Sequence, residues 1–191
     1  MTTDLTTALA AQRVLPVLRA ADPAVAVARV GVLLAAGCRV IELTTTIPDW
    51  PDTLAESVRL AAGRALIGMG TVTTADQAEI AIDRGAAFLV SPYPSPAVRA
   101  AATDTPFVEG GFTPAEIAAG AKFGPAKVFP AHVGGPAYIR SLLAVLPDAQ
   151  LIPTGGIAAD QVADYLKAGA LAVGVGSGLP VDPAELAAVF G

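Results

Sequence analysis

Eight short apolar segments at regular spacing restrict the fold of this chain more than any other feature. They are rich in Val, Ile, Leu and Phe, begin about 19 to 27 residues apart, and are bounded by Gly, Pro or Thr. Alanine-rich stretches with helical spacing of apolar residues separate them, and near-continuous apolar strands that alternate with helices are typical of a parallel sheet covered by those helices. The segments are residues 13–19, 40–45, 66–72, 88–92, 107–111, 126–131, 151–156 and 171–177.

Eight strand and helix units predict a closed (β/α)8 barrel, the TIM-barrel fold, as a single α/β domain over residues 1–191. The chain has 191 residues, 53% of them hydrophobic, which is enough for one such core. An open doubly wound sheet is the alternative. No G-x-G-x-x-G motif follows the first segment, as a dinucleotide-binding sheet would require, so we expect the barrel.

The charge and cysteine content exclude several classes of partner. Only 15% of the residues are charged and the net charge is −5, so no basic face is expected for nucleic acid or for an anionic membrane. The apolar runs are well short of the roughly 20 residues that cross a bilayer, and the N-terminal stretch does not resemble a signal peptide. Cys38 is the only cysteine, which rules out a disulfide within the chain. We expect a cytoplasmic protein that binds small molecules.

A lysine inside an apolar strand is the first candidate for chemistry. In a barrel of this kind the C-terminal ends of the strands form the active face, and Lys127 lies within the sixth segment on the same strand face as Phe129. Burying an ammonium ion is costly, and a buried lysine is therefore often a neutral amine that can attack a carbonyl. The alternative is a lysine that pairs with a buried carboxylate or reaches the barrel rim.

Glu42 is a second charge in an apolar segment, and a carboxylate facing the same interior could move protons while an imine and an enamine form. The alternative is a structural ion pair with Lys127 or Arg19. Such a pair would not exclude catalysis, because a lysine and a glutamate in one dry pocket perturb each other in either case.

Two glycine clusters follow the last two segments, where barrels commonly hold a phosphate on backbone N–H groups. They are "PTGGI", residues 153–157, and "GVGSG", residues 174–178, in which Ser177 adds a hydroxyl. His132 is the only histidine, and the chain has neither an H-E-x-x-H nor a D-x-D stretch. A metal-dependent mechanism is therefore disfavoured, and no cofactor is predicted.

The motifs, taken together and in order, resemble the 2-keto-3-deoxy-6-phosphogluconate aldolases, the class I pyruvate aldolases of the Entner–Doudoroff route. The resemblance rests on "RVLPVLRA", "AAGCRVIELT", "IGMGTVTTADQ", "GAAFLVSPYPSP", "GGFTPAEI", "AKVFPAHVGGPAYIRSL", "IPTGGI" and "VGVGSGL". It implies a (β/α)8 barrel, a homotrimer, and cleavage of a 2-keto-3-deoxy-6-phospho sugar acid into pyruvate and glyceraldehyde 3-phosphate.

The resemblance also implies roles for individual residues. Lys127, in the K-x-F-P-A context, looks like the Schiff-base nucleophile, and Glu42, in the E-x-T context, looks like the proton shuttle. Thr71 resembles the contact of the pyruvate carboxylate. Other positions resemble pocket walls or the site of the substrate's far end and phosphate: they are Pro92, Phe129, Thr154, Gly155, Gly156 and Ser177.

Three positions depart from the pattern of many family members. Thr46 stands where the family has an arginine that helps to bind the pyruvate carboxylate, and Arg19, a feature of other members, could supply that charge. Glu109 replaces a proline and His132 a glutamate, and both are expected at the barrel mouth, where they would alter which aldehyde or sugar acid is accepted.

Several alternatives stay open from the sequence. Two features look closer to phosphogalactonate aldolases: the stretch "GGPAYIRSLLAVLP" and Trp50. The stretch "PTGGI" looks closer to phosphogluconate aldolases. A 4-hydroxy-2-oxoglutarate aldolase, which belongs to the same group, is a further alternative. Another phosphate-binding barrel enzyme would not need Lys127. A non-catalytic binding protein derived from an aldolase would not need to retain Lys127 and Glu42.

Overall fold

The computed structural model describes residues 4–190, and every strand pair in it is parallel. All eight predicted segments contain a strand, and the fifth contains two. The strands are β1 (Val14–Leu18), β2 (Val40–Thr44), β3 (Leu66–Gly70), β4 (Leu89–Val90), β5 (Phe107–Val108), β6 (Gly110–Gly111), β7 (Ala126–Val128), β8 (Leu151–Pro153) and β9 (Val173–Val175).

Helices follow the strands, as the alternation predicts. Polar caps fix several of their starts: Asp22 accepts a hydrogen bond from the amide of Ala24, and Thr113 and Glu116 form a reciprocal capping box. The helices of the described residues are α1 (Leu5–Gln12), α2 (Pro23–Ala35), α3 (Trp50–Ala61), α4 (Ala75–Asp83), α5 (Pro96–Ala102), α6 (Pro114–Gly120), α7 (Gly135–Val145), α8 (Val162–Lys167) and α9 (Pro183–Phe190). None of them is long and apolar enough to cross a membrane.

The strand order supports a parallel α/β fold with a cyclic arrangement. Six strands form a sheet in the order β5, β4, β3, β2, β1, β9, and three form a second sheet in the order β6, β7, β8. The first strand therefore pairs with the last one, an adjacency that the open doubly wound alternative does not produce. The two sheets meet through Glu109, between β5 and β6, and through a parallel bridge between Thr154 and Gly174.

The strands end earlier than predicted at the sixth and seventh segments. After β7 the chain passes through Phe129 and Pro130 into a 3-10 turn at Ala131–Val133. After β8, Gly155 and Gly156 have φ values of 96° and 70°, in the left-handed region that leaves the strand geometry. Phe129 and Pro130 are apolar, and Gly155 and Gly156 have no side chain, but in both segments the chain turns into a loop at the C-terminal edge.

Helix α1, which the sequence pattern did not single out, covers the opposite edge of the strands. Leu5 and Leu9 pack with inward-facing strand side chains such as Phe88 and Val108. The Gln12 amide donates hydrogen bonds of 2.7 and 2.8 Å to the carbonyls of Val14 and Val40. Helix α1 therefore covers the end of the strand interior that lies opposite the C-terminal edge.

Candidate active site

A cavity of about 490 Å³ opens at the C-terminal ends of β1, β7, β8 and β9. This is the edge at which parallel α/β folds place their active sites. Seven of the predicted site residues line it: Arg19, Lys127, Phe129, Thr154, Gly155, Gly156 and Ser177. These seven residues come from four of the eight predicted segments.

Lys127 points inward from β7 at the base of this cavity. Its neighbours on the strand, Ala126 and Val128, face the helix layer, so strand alternation turns the lysine to the other face. The side chain is 3% exposed, and its Nζ lies 3.6 Å from Oε1 of Glu42. The same Nζ is 5.5 Å from the ring centroid of Phe129. An amine and a carboxylate thus share one dry pocket, as predicted.

The Glu42 carboxylate is fully enclosed and accepts no hydrogen bond from any of residues 4–190. Burial raises the pKa of the Glu42 carboxyl, and the positive charges of Lys127 and Arg19 offset only part of that rise. Its position depends on Gly70 of the neighbouring strand, where a Cβ atom would lie 1.8 Å from Oε1. A buried carboxyl without a fixed partner is unusual in a structural role and common where protons are moved.

Arg19 joins the loops after three adjacent strands. From the end of β1 its guanidinium donates hydrogen bonds of 3.2 Å to the hydroxyls of Thr46 and of Thr71. Thr46 is further held by the hydroxyl of Thr44 at 2.8 Å. Arg19 and Thr71, both predicted at the pyruvate carboxylate, are therefore in contact, and the same guanidinium also contacts Thr46, where the family pattern has an arginine.

The other side of the cavity is formed by the loops after β8 and β9. Gly155 and Gly156 belong to the first loop and Ser177 to the second, and all three line the cavity. The two loops are closely packed, since a Cβ atom at Gly178 would lie 2.6 Å from the carbonyl oxygen of Ile157. Thr154 is buried and its hydroxyl donates to the carbonyl of Ile152 at 3.2 Å.

Pro92 does not line the cavity. Its backbone packs against Gly110, where a Cβ atom would lie 2.5 Å from the Pro92 carbonyl carbon. Phe129 does line the cavity, as predicted, and a Cβ atom at Gly155 would lie 2.8 Å from its ring. Of the two predicted pocket walls, the structure therefore brings only Phe129 to the site.

The prediction that Glu109 faces the mouth is wrong. Its carboxylate points to the helix layer, where it accepts a 2.8 Å hydrogen bond from the amide of Ser95 and forms a 2.8 Å ion pair with Arg99. Glu109 is the residue between β5 and β6, and it points away from the side that Lys127 occupies. The pair with Arg99 explains how a buried carboxylate is accommodated there.

His132 lies at the C-terminal edge of the strands, beside the cavity, but it does not line the cavity. It belongs to the 3-10 turn after β7, is exposed, and its Nδ1 is 3.2 Å from the carbonyl oxygen of Gly155. A Cβ atom at Gly156 would lie 2.6 Å from its ring. His132 therefore contacts the outside of the loop whose inner side lines the cavity.

Arg29 is a lining residue that the sequence did not reveal. It lies on α2, and its guanidinium donates hydrogen bonds to the carbonyls of Pro180 and Val181 in the loop after β9. On the sequence it is one arginine in an amphipathic helix and looks like an ordinary solvent-facing charge. Only the fold brings α2 against the last loop.

The comparisons with known proteins agree on one family. The family model described as "KDPG and KHG aldolase" matches residues 5–186. The chain is 39% identical over 168 residues to a probable 2-dehydro-3-deoxy-6-phosphogalactonate aldolase of Rhizobium meliloti (strain 1021), which covers 85% of this chain and 79% of that protein. It is 34% identical over 166 residues to a 2-dehydro-3-deoxy-phosphogluconate aldolase of Treponema pallidum (strain Nichols), with 83% and 78% covered.

A solved structure adds a chemical detail. The KDPG aldolase from Legionella pneumophila, with pyruvate captured at low pH as a covalent carbinolamine intermediate, aligns with a TM-score of 0.83 and 26% identity over 100% of this chain and 98% of that one. The two relatives by sequence are named for different sugar acids, so they agree on the reaction class alone. The chain belongs to the KDPG and KHG aldolase family, and it is an aldolase, a kind of lyase.

Proposed function

We propose that the chain is a class I, metal-independent aldolase that reversibly cleaves a 2-keto-3-deoxy-6-phospho sugar acid into pyruvate and glyceraldehyde 3-phosphate. The observation that carries the proposal is the enclosed pair of Lys127 and Glu42, with 3.6 Å between amine and carboxylate, at the base of the cavity. The carbinolamine captured in the Legionella pneumophila relative supports the same covalent chemistry.

Lys127 acts as the nucleophile. As its –NH2 form, the amine attacks C2 of the substrate: a bond forms between Nζ and C2, the π bond of the carbonyl breaks, and one proton passes from the nitrogen to the oxygen to give the carbinolamine. The carbinolamine then loses water and becomes a protonated imine. Glu42 supplies the proton for the departing hydroxyl, and its raised pKa suits this step because the carboxyl holds its proton at a higher pH than an exposed glutamate does.

Cleavage uses Glu42 in its other protonation state. The carboxylate accepts the proton of the C4 hydroxyl, the C3–C4 bond breaks, and its electron pair moves into the imine to form an enamine. Glyceraldehyde 3-phosphate leaves as the aldehyde. Glu42 returns the proton to C3, and water hydrolyses the resulting imine to pyruvate and free Lys127.

The ends of the substrate fit the two sides of the cavity. Arg19, held between Thr46 and Thr71, binds the pyruvate carboxylate in place of the arginine that the family pattern has at Thr46. Gly155, Gly156 and Ser177 hold the phosphate with backbone N–H groups and a hydroxyl. Arg19, Gly155, Gly156 and Ser177 all line one cavity, which supports these proposed roles.

Three finer statements belong to the same proposal. The strands close into one eight-stranded barrel, supported by the pairing of β1 with β9 and by a 2.9 Å hydrogen bond from the Leu171 amide to the Leu151 carbonyl. Three copies assemble, as the family resemblance implies. The enzyme acts in the cytoplasm, on a sugar acid of the kind that the Entner–Doudoroff route cleaves.

The C4 epimer is the main alternative within the family. The phosphogalactonate aldolase of Rhizobium meliloti has a higher identity to the chain, 39%, than the phosphogluconate aldolase of Treponema pallidum, at 34%. A phosphogalactonate-type substrate is therefore the second candidate. The phosphogalactonate-type acid has the same C1 to C3 unit and the same phosphate as the phosphogluconate-type acid. Lys127, Glu42 and Arg19 would therefore act on both acids in the same way.

A pyruvate-release assay on a panel of acids tests the function. The panel contains both 6-phosphorylated epimers, 4-hydroxy-2-oxoglutarate and an unphosphorylated 2-keto-3-deoxy acid, each with and without EDTA. We expect release from at least one phosphorylated epimer, unaffected by EDTA, with a kcat/KM about 100-fold or more above that of the unphosphorylated acid. A folded protein that releases pyruvate from none of them would contradict the proposal.

Replacing Arg19 by Met tests the carboxylate site. A charge-assisted hydrogen bond is worth about 1.5–3 kcal/mol, so kcat/KM should fall about 10- to 100-fold. The matched control is Arg59→Met, because Arg59 is 78% exposed and pairs only with the nearby Glu56 on the surface of α3. Kinetics of the Arg19 variant that equal those of the control would remove Arg19 from the site.

Replacing Gly70 by Ala tests the position of Glu42. The added Cβ would lie 1.8 Å from Oε1, so the carboxyl must move, and we expect turnover to fall at least tenfold with a loss of about 1–3 kcal/mol in the free energy of unfolding. Gly31→Ala is the control. Gly31 lies in α2, and a Cβ atom there would lie 3.7 Å from the Leu60 side chain, an ordinary van der Waals contact. Alanine at this position should keep activity and stabilise the helix by about 0.5–1 kcal/mol. Full turnover in the Gly70 variant would mean that Glu42 need not be held where it lies.

A further inference from the structure

Arg29 connects the second helix to the loop that carries Ser177. Its Nη1 is 3.2 Å from the carbonyl oxygen of Val181, and its Nη2 contacts the carbonyl of Pro180. The same loop turns back at a 3.1 Å hydrogen bond from the Leu179 amide to the Gly176 carbonyl. The arginine therefore fixes one end of the loop while Ser177, at the other end, lines the cavity.

The charge of Arg29 is not balanced by a side chain. Within residues 4–190 no Asp or Glu carboxylate lies within 4.0 Å of its guanidinium. Among residues 4–190, three basic side chains line the cavity, Arg19, Arg29 and Lys127, and no acidic one does. The enclosed Glu42 carboxylate lies 3.6 Å from Lys127 and offsets that charge alone, whereas the two arginines have no carboxylate partner within the same residues. Since the whole protein has a net charge of −5, this local excess of positive charge is specific to the cavity.

The two arginines occupy different sides of β1. Arg19 reaches the loops after β2 and β3, through Thr46 and Thr71. Arg29 reaches the loop after β9, which is the neighbour of β1 on the opposite side. A substrate with an anionic group at each end would therefore meet one arginine at each end, with the Lys127 amine between them.

We propose that Arg29 is a specificity-determining residue for the distal anionic group of the substrate. It supplies positive charge at that end and holds the 176–181 loop in the shape that presents Ser177. This inference rests on the proposed function, and it adds a residue from α2 to a site otherwise formed by the loops after β8 and β9. A guanidinium has five N–H donors, and two bonds to carbonyls leave others for an anion.

The alternative role is purely structural, a tie between a helix and a loop. Arg64 provides a control for the loss of arginine bonds to backbone carbonyls, because it donates to those of Leu60 and Ala61 at the end of α3 and does not line the cavity. Arg64→Met removes the same kind of contact elsewhere in the fold. It should leave the kinetics unchanged.

Two reactions of the same protein distinguish a role of Arg29 in binding the distal anion from a purely structural role. Cleavage of the phosphorylated acid needs the distal group, whereas exchange of the pyruvate methyl protons with deuterium in D2O needs only the imine, the enamine and Glu42. For Arg29→Met we expect kcat/KM for the phosphorylated acid to fall about 10- to 100-fold, mainly through KM. The rate of pyruvate exchange should stay within about threefold of that of the wild type, because pyruvate has no distal anion.

Arg29→Lys keeps the positive charge but loses the planar guanidinium with its several N–H donors. Its kcat/KM should therefore lie between those of Arg29→Met and the wild type. Equal losses in cleavage and in exchange would overturn the proposal, because they would show a structural role. No loss in either reaction would overturn it as well. A wild-type protein that neither cleaves the acid nor exchanges pyruvate would instead contradict the aldolase proposal itself.

Discussion

Replacing Lys127 by Met is expected to abolish covalent capture of pyruvate and to lower turnover by about 10⁴-fold or more. Methionine fills the same buried space and has no amine, so neither the carbinolamine nor the imine can form. Borohydride added with pyruvate reduces the imine of the wild-type protein to a stable secondary amine. Intact-mass measurement should show one reduced pyruvate unit per wild-type chain and none on the Lys127→Met chain.

The low lysine content provides a strict control for this experiment. The chain has three lysines, and Lys122 and Lys167 are exposed. The double variant Lys122→Arg, Lys167→Arg should label and turn over like the wild type, and peptide mapping should place its adduct on Lys127. Persistent labelling of the Lys127→Met protein, or an adduct at another amine, would contradict the assignment of the nucleophile.

The parallel α/β fold was predictable because its pattern is repeated eight times. Each repeat has an apolar segment and an amphipathic helix, so the strand count does not depend on any single segment. Boundaries were predicted less well, since apolar character continues past the last ladder hydrogen bond. Phe129 and Pro130 are apolar yet lie in a loop, and Glu109 divides the fifth segment because its side chain turns to Arg99.

The candidate site was predictable where the residue type conflicts with its surroundings. A lysine and a glutamate in apolar strands, and glycines where a strand should continue, stand out from the sequence alone. Arg29 does not stand out, because an arginine in an amphipathic helix is ordinary. The error at Glu109 has a simple cause: the position of a residue at a strand end does not determine which way its side chain points.

Replacing Glu42 by Gln is expected to lower turnover about 10²- to 10⁴-fold. Lys127 still forms the reducible adduct with pyruvate, but more slowly, because water must then supply the proton for the departing hydroxyl. Glutamine has nearly the same shape, so it fits beside Gly70, but it can neither give nor take the proton at the C4 hydroxyl or at C3. Exchange of the pyruvate methyl protons should be lost together with cleavage. Normal exchange in this variant would show that another group moves the proton.

The pH dependence of stability provides an independent test of the Glu42 environment. Burial raises the pKa of Glu42 and Lys127 lowers it, so Lys127→Met should raise that pKa further. A carboxyl with a raised pKa in the folded state contributes stability that is complete below about pH 4.3, the ordinary pKa of glutamate, and is lost as the pH rises through the folded-state pKa.

Urea unfolding of Lys127→Met and of the double variant Lys127→Met, Glu42→Gln, measured over a range of pH, isolates this contribution. The two proteins share every other titrating group, so the difference between their free energies of unfolding reports Glu42 alone. The single variant should become less stable relative to the double variant as the pH rises above about 4.3, and the difference should level off once Glu42 is ionised in the folded protein as well. A difference that does not change with pH would mean that Glu42 titrates like an exposed carboxyl, and the proton-transfer role that depends on its burial would lose its physical basis.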